Sequence, residues 1–245
     1  MTTAADTRAA VVHIGTHKTG TTSFQVWADR NRAHLETDLG LTYYRGLFES
    51  NHYELSLLCI DPGRSLSMRA KIPDWCLEGW QAQVREHASR EVAQDTPRLL
   101  ISCEDFSYAR TTAEVEALRD LVAPRELSVV VTLRDPEAFL RSYSNEISSQ
   151  GFERSSIQGS FAYVEDDSWL VDYDRMLSVY RDVLGPDRVH VVDYETAMRQ
   201  DGSTLPAVMA GCGARSGQLP DWEEYRFNSS GPRARRVLGR LRRGH

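Results

Sequence analysis

A three-layer α/β/α fold around a central, mostly parallel sheet of about five strands is predicted from three observations. Five short runs rich in Val, Ile, Leu and Tyr recur along the chain. They are apolar almost without alternation, as strands covered on both faces must be. Segments of helical periodicity separate them, which is the βαβ arrangement that keeps successive strands parallel.

The strand runs are AAVVHIG (9–15), LTYYR (41–45), RLLISC (98–103), LSVVVTL (127–133) and RVHVVDY (188–194). Helices are expected over 21–39, 75–93, 112–121, 136–149, 169–184 and 205–211. The fourth has the clearest start: Asp135 can cap it, and Pro136 suits the first helical position, where a missing N–H costs nothing. The polar segment 151–167, GFERSSIQGSFAYVEDD, is expected to be a long loop over one end of the sheet, of the kind that serves as a lid or substrate loop.

Of 245 residues, 41% are hydrophobic and 26% charged, which suits one domain over 1–245, with 1–8 a flexible N-terminal stretch and 234–245 a basic tail. No apolar run approaches the ~18–20 residues of a membrane span, and the first residues carry no secretory h-region. Cys59, Cys76, Cys103 and Cys212 lie far apart, in neither CxxC nor zinc spacing, and read as reduced thiols of a cytoplasmic protein. Seven arginines and no acid occupy 226–245, so 22 basic residues face 35 acidic ones over the rest of the chain. Such a body repels a polyanion, which argues against nucleic acid as a partner.

The turn after the first strand, GTHKTGTTS, carries the chemistry. Gly15 and Gly20 enclose four residues and Thr22 follows, as in the phosphate-binding loop GxxxxGK[ST] of P-loop nucleotide-binding proteins. The lysine, however, is displaced: Thr21 stands in its place and Lys18 lies three residues earlier. A strand-to-helix turn directs backbone amides at a helix N-terminus, a setting that favours phosphate or sulfate oxygens. Thr21, Thr22 and Ser23 add hydroxyl donors, and Lys18 adds a cation.

The KTGTT segment resembles the Lys-Ser/Thr-Gly-Thr-Thr loop of sulfotransferases that use 3'-phosphoadenosine 5'-phosphosulfate (PAPS) and release 3'-phosphoadenosine 5'-phosphate (PAP). The resemblance implies that Gly15, Thr16, His17, Lys18, Thr19, Gly20, Thr21, Thr22 and Ser23 hold the 5'-phosphosulfate end, with Lys18 catalytic. It implies no metal, since a sulfuryl group carries less charge than a terminal phosphoryl and one ammonium can serve at the leaving oxygen.

Two further segments are similar to the same family. Arg134 ends a predicted strand and Ser142 follows eight residues later, as do the family's 3'-phosphate ligands; Arg134 can alternatively pair with Asp135 or Glu137. Tyr194, before Glu195, matches a tyrosine that lies by the adenine, or it simply covers the strand end. Near the C-terminus the sequence departs from the family's Arg-Lys-Gly loop, and Asn228 and Ser230 stand as alternative cofactor donors.

Transfer to a hydroxyl needs a proton acceptor. Two residues fit: Glu104, where the family's cytosolic members have a histidine at a strand end, and His52, whose ordinary pKa is near neutral. His17 is expected to orient the loop, His13 and His190 to be core, and His34 and His87 to face solvent. The expected acceptor is a small molecule or carbohydrate, met by 45–55 and 151–167, where Phe152, Phe161 and Tyr163, with Trp169 just beyond, offer either an apolar or sugar-stacking surface or core. The competing readings are a magnesium-dependent P-loop nucleotide kinase with Asp105 on the metal, and a non-catalytic nucleotide-binding protein of the same fold.

Overall fold

The computed structural model describes residues 8–225. Asn228, Ser230 and the basic tail lie outside the described residues, as do the first seven.

Five parallel strands form one sheet in the order β2-β3-β1-β4-β5: β1 Ala9–Gly15, β2 Leu41–Tyr43, β3 Arg98–Ser102, β4 Glu126–Leu133 and β5 Val189–Asp193. β1 lies at the centre, Ala9 opposite Arg98 on one side and Glu126 on the other. The helices are α1 Thr21–Arg30, α2 Arg32–Leu39, α3 Tyr53–Cys59, α4 Ser67–Lys71, α5 Glu78–Ala93, α6 Thr112–Val122, α7 Pro136–Ser149, α8 Tyr173–Leu184, α9 Tyr194–Asp201 and α10 Leu205–Gly211.

The unalternating strand runs follow from two cores. Ala10, Val12 and Ile14 of β1, with Val129 and Val131 of β4, pack beneath α3, α5, α6, α7 and α8. Val11 and Val130 face the other way, onto Phe24 and Trp27 of α1, Leu35 of α2 and Val208 and Met209 of α10. The central strands β1 and β4 therefore bury both faces, and the three-layer architecture is the one the sequence predicts.

Four expectations need correction. The single helix expected over 21–39 breaks at Asn31, whose side-chain Nδ2 donates to the Trp27 carbonyl at 2.9 Å alongside its own backbone N–H at 3.0 Å. An asparagine amide that competes for a helix carbonyl ends the run, and the chain restarts as α2. The helices expected to begin at Trp75 and Trp169 begin at Glu78 and Tyr173, after short 3-10 turns; Asp172 caps the second by accepting from Arg175 N at 3.1 Å. His190 is exposed, because β5 is an edge strand with only β4 beside it. Asp135 does cap α7, accepting from Ala138 N at 2.9 Å.

The segment 151–167 contains neither helix nor strand. It is fastened to the body: Phe161 is buried in the first core, and its backbone N–H donates to Ser65 Oγ at 3.2 Å. Phe152 packs against it edge-on at 5.1 Å, and both Phe152 and Trp169 are half-buried on that core. Cys59, Cys103 and Cys212 are buried and Cys76 is exposed, all four as free thiols.

Candidate active site

In an open parallel sheet, ligands bind beyond the carboxyl ends of the strands where the chain reverses its direction of winding. That point here is β1, with β3 on one side and β4 on the other, so the turns after Gly15, Ser102 and Leu133 meet at one edge.

The β1–α1 turn is fixed from within. Thr16 N and Oγ1 both approach the Thr132 carbonyl, at 3.0 and 3.2 Å, and Thr19 Oγ1 donates to the Thr16 carbonyl at 2.6 Å. Thr204 Oγ1 donates to the Thr19 carbonyl at 3.0 Å, holding the turn from the α10 side. A Cβ on Gly15 would come within 2.3 Å of Thr21 Cγ2, and Gly20 sits at φ 86°, where only glycine is unstrained. Lys18 also adopts a left-handed φ of 66°, uncommon for a residue with a Cβ.

The first α1 amide to bond back within the chain is Phe24 N, to the Gly20 carbonyl at 3.1 Å, and Gly20 supplies no side-chain cap. The first-turn amides are thus the orphan donors of a helix N-terminus, with its partial positive charge. Among the loop hydroxyls, those of Thr16 and Thr19 are used internally, Thr21 and Ser23 are buried and Thr22 is exposed.

Arg134 joins this turn from the end of β4. Its Nη1 donates to the Lys18 carbonyl at 3.2 Å, and its guanidinium lies 4.8 Å from the centre of the Tyr194 ring. Glu195 stands 3.9 Å from Nε, too far for a hydrogen bond, so that buried N–H has no acceptor among the described residues. Arg134 does not pair with Asp135 or Glu137, the alternative its sequence neighbours suggested: Asp135 caps α7 and Glu137 takes Arg141 at 2.9 Å. Ser142 is half-buried on α7. Tyr173, which the sequence reading passed over, has a buried hydroxyl with no hydrogen-bond partner among the described residues. Burial raises its pKa, the Thr16 side chain and Arg134 acting against that rise and Glu195 and Asp135 adding to it.

Glu146, one helical turn beyond Ser142, places Oε2 3.8 Å from Lys18 Nζ, with both side chains about one quarter exposed. The spacing i, i+4 from Ser142 was the signal that could have found it.

Glu104 follows β3. Its Oε2 accepts from Gln25 Nε2 at 2.9 Å, and the same amide lies 3.3 Å from Ser102 Oγ, which in turn meets His13 Nδ1 at 3.0 Å. Gln25 is one turn along α1 from Thr21, so the helix that carries the loop also positions the carboxylate. Burial raises the Glu104 pKa, against the lowering influence of His17 and the Gln25 hydrogen bond.

His17 points away from solvent, its Nε2 2.7 Å from Tyr108 Oη and 3.6 Å from Asp105 Oδ1, while Tyr108 Oη meets Tyr143 Oη at 2.8 Å. Burial opposes its charged form, but the Asp105 carboxylate, with Glu146 and Glu104 nearby, outweighs it and raises the pKa. Asp105 is itself buried, with Ser56 Oγ at 3.5 Å on its other oxygen. Among the described residues no three His, Cys, Asp or Glu side chains converge as a metal site.

His52 corrects the expectation of a near-neutral imidazole. It is fully buried, its Nδ1 accepts from Ser102 N at 3.0 Å, and its ring lies 4.8 Å from both Tyr43 and Tyr44. Burial, helped by Arg32, pushes its pKa down to about 3. His52 is thus a neutral core residue that finishes the end of β3.

No family model and no curated protein sequence matches the chain. Among solved structures the fold is similar to a sulfotransferase from Alicyclobacillus acidocaldarius, with a TM-score of 0.56 at 16% identity over 96% of this chain and 91% of that one. It is also similar to the sulfotransferase domain from the curacin biosynthetic pathway, with a TM-score of 0.50 at 13% identity over 88% of this chain and 77% of that one. At such identities the likeness is one of fold: the chain shares the architecture of these two sulfotransferase structures.

Proposed function

We propose that the chain is a PAPS-dependent sulfotransferase that moves a sulfuryl group onto a hydroxyl, less readily an amine, of a small-molecule or carbohydrate acceptor. The observation that carries the reading is the direct tie between its two anion-binding parts: Arg134 reaches across to the carbonyl of Lys18, the cation at the centre of the uncapped turn. A buried guanidinium N–H without an acceptor, and orphan amides at the start of α1, are what a ligand with a 5'-phosphosulfate and a separate 3'-phosphate requires.

On this reading the α1 amides with Thr22 hold the 5'-phosphate, Arg134 and Ser142 take the 3'-phosphate, and Tyr194 borders the base. When bound, PAPS supplies the sulfuryl group and leaves as PAP. Lys18 stabilises charge on the oxygen released from sulfur, a task suited to a cation placed in the turn itself. Glu104 accepts the acceptor's proton as the new oxygen–sulfur bond forms; Gln25 holds one of its oxygens and a raised pKa brings its basicity nearer the working range. His17 acts as a strut, tying the loop to Asp105 and Tyr108. The magnesium-kinase alternative leans on Asp105, whose two oxygens are engaged with His17 and Ser56.

The test is label transfer: protein incubated with radiolabelled PAPS, in the presence of a chelator, and a panel of phenols, alcohols, amines and sugars. The reading expects label on at least one acceptor together with release of PAP. Hydrolysis and transfer both absent across the panel, with PAP failing to bind, would remove it.

A further inference from the structure

Away from the donor loop, the walls of one cavity carry an excess of positive charge in an otherwise acidic body. This space, of about 290 Å³, is bordered by Arg64, Arg110, Arg175, Trp169, Gln158 and Asp172. Its volume is at the small end of ligand pockets, which run from about 300 to 1,000 Å³, and it suits a molecule of one ring more than a nucleotide.

The charges in its walls are unevenly compensated. Arg64 is matched by Glu114, with Nε to Oε1 at 2.8 Å and Nη2 to Oε2 at 3.1 Å. Arg110 is 5% exposed, and among the described residues its guanidinium makes no ion pair with a carboxylate: its Nη atoms donate to the carbonyls of Ser107, Ala109 and Trp169, each at 2.7 Å, while its backbone N–H donates to Glu114 Oε2 at 2.7 Å. Its buried Nε has no acceptor among the described residues. Asp172, the one carboxylate in the lining, spends an oxygen on capping α8 through Arg175 N. Arg175 itself is exposed at the start of that helix. The Arg64 and Arg110 guanidiniums stand 5.8 and 5.0 Å from the Trp169 ring centre, so two like charges are gathered on one indole. Burial and then the neighbouring Arg64 lower the Arg110 pKa to about 10, with Asp172 and Glu114 acting against that fall, so it stays charged at neutral pH. Three guanidiniums, Arg64, Arg110 and Arg175, are thus set against two carboxylates, Asp172 and Glu114, which leaves a net positive charge that an anion would offset.

We infer that this cavity binds a small organic oxyanion, a carboxylate or a phosphate or sulfate monoester carried on a body of about one ring, with Arg175 closing over the charged end. The inference does not rest on which donor the loop takes. Its place invites a role in acceptor choice, since the Trp169 ring lies 5.5 Å from that of Tyr108, whose hydroxyl meets His17 of the loop.

Calorimetry with benzoate, phenyl phosphate, phenyl sulfate and the uncharged benzamide tests it, on the full chain without nucleotide. At least one anion should bind with one site per chain while benzamide does not, and the three anions distinguish which oxyanion is preferred. Arg175→Gln, a change at an exposed residue, should weaken that binding by about fivefold or more, the loss of a charge-assisted hydrogen bond. Arg134→Ala, in the donor site, should leave it unchanged. The inference is overturned if no anion binds, if benzamide binds equally well, or if Arg134→Ala abolishes binding that Arg175→Gln leaves intact.

Discussion

Arg134 Nη1 donates to the backbone carbonyl of Lys18 at 3.2 Å, so the end of β4 braces the turn after β1 at its left-handed residue. One guanidinium thus shapes the loop while a second of its N–H groups stays free for a ligand. Arg134→Ala should weaken PAP binding by about 10- to 100-fold, the worth of one or two hydrogen bonds to a charged group. Isothermal calorimetry of the variant checks this, and an unchanged affinity would remove Arg134 from the donor site.

Lys18 faces Glu146 across 3.8 Å. Lys18→Ala should cut turnover by about 10²- to 10³-fold, as loss of a group aimed at developing charge does, with the melting temperature little changed. Glu146→Gln should act oppositely on binding, tightening PAP by up to about fivefold, because a partly exposed ion pair contributes only ~0.2–1 kcal/mol and no longer competes for the ammonium. Turnover of the first variant and PAP affinity of the second, each beside its melting curve, decide the matter.

Glu104 must be ionised to accept a proton, and burial raises its pKa. Activity should therefore fall as pH drops through that raised value, above the ordinary glutamate range. Glu104→Gln should lower kcat by about 10²- to 10⁴-fold. Gln25→Ala removes a hydrogen bond to the charged form and should move the acid limb to higher pH. A pH profile of kcat for the two variants and the parent tests both statements, and a Gln25→Ala limb that stays in place would detach Gln25 from the base.

Glu54 lies fully buried on α3, its Oε1 accepting from Leu47 N at 3.0 Å and its Oε2 without a partner among the described residues. Burial raises its pKa from 4.5 to about 7. Because the folded value exceeds the unfolded one, its contribution is fully present below pH 4.5 and lost as pH rises through about 7. The loss amounts to roughly 3 kcal/mol at 1.36 kcal/mol per unit. Glu54→Gln keeps the acceptor for Leu47 and removes the charge, so its unfolding free energy should exceed the parent's at pH 8 and depend less on pH. Urea titrations at pH 5 and pH 8 measure the difference.

The sheet was legible in the sequence because burial on both faces leaves an unbroken apolar signature, and α7 because Asp135 and Pro136 write its start into the chain. Short helices such as α3 and α4 owe their existence to packing and left no periodic trace. Asn31 hid a helix break that only its side-chain amide reveals. Within the candidate site, the loop was readable as a local motif, whereas Tyr108, Tyr143 and Tyr173 reach it from separate elements, and no spacing predicts that. Glu146 and Gln25 lie between these cases: each sits one helical turn from a residue the motif had marked. His52 looked suited to proton transfer until the fold removed it from water, a change that no composition or spacing foretells.

The most direct measurement of the central claim is calorimetric titration of the protein with PAP in the presence of a chelator, run beside ATP with magnesium. The account expects saturable one-to-one binding of PAP without any divalent cation, weakened by Arg134→Ala. Magnesium-dependent ATP binding, with no heat from PAP, would contradict it.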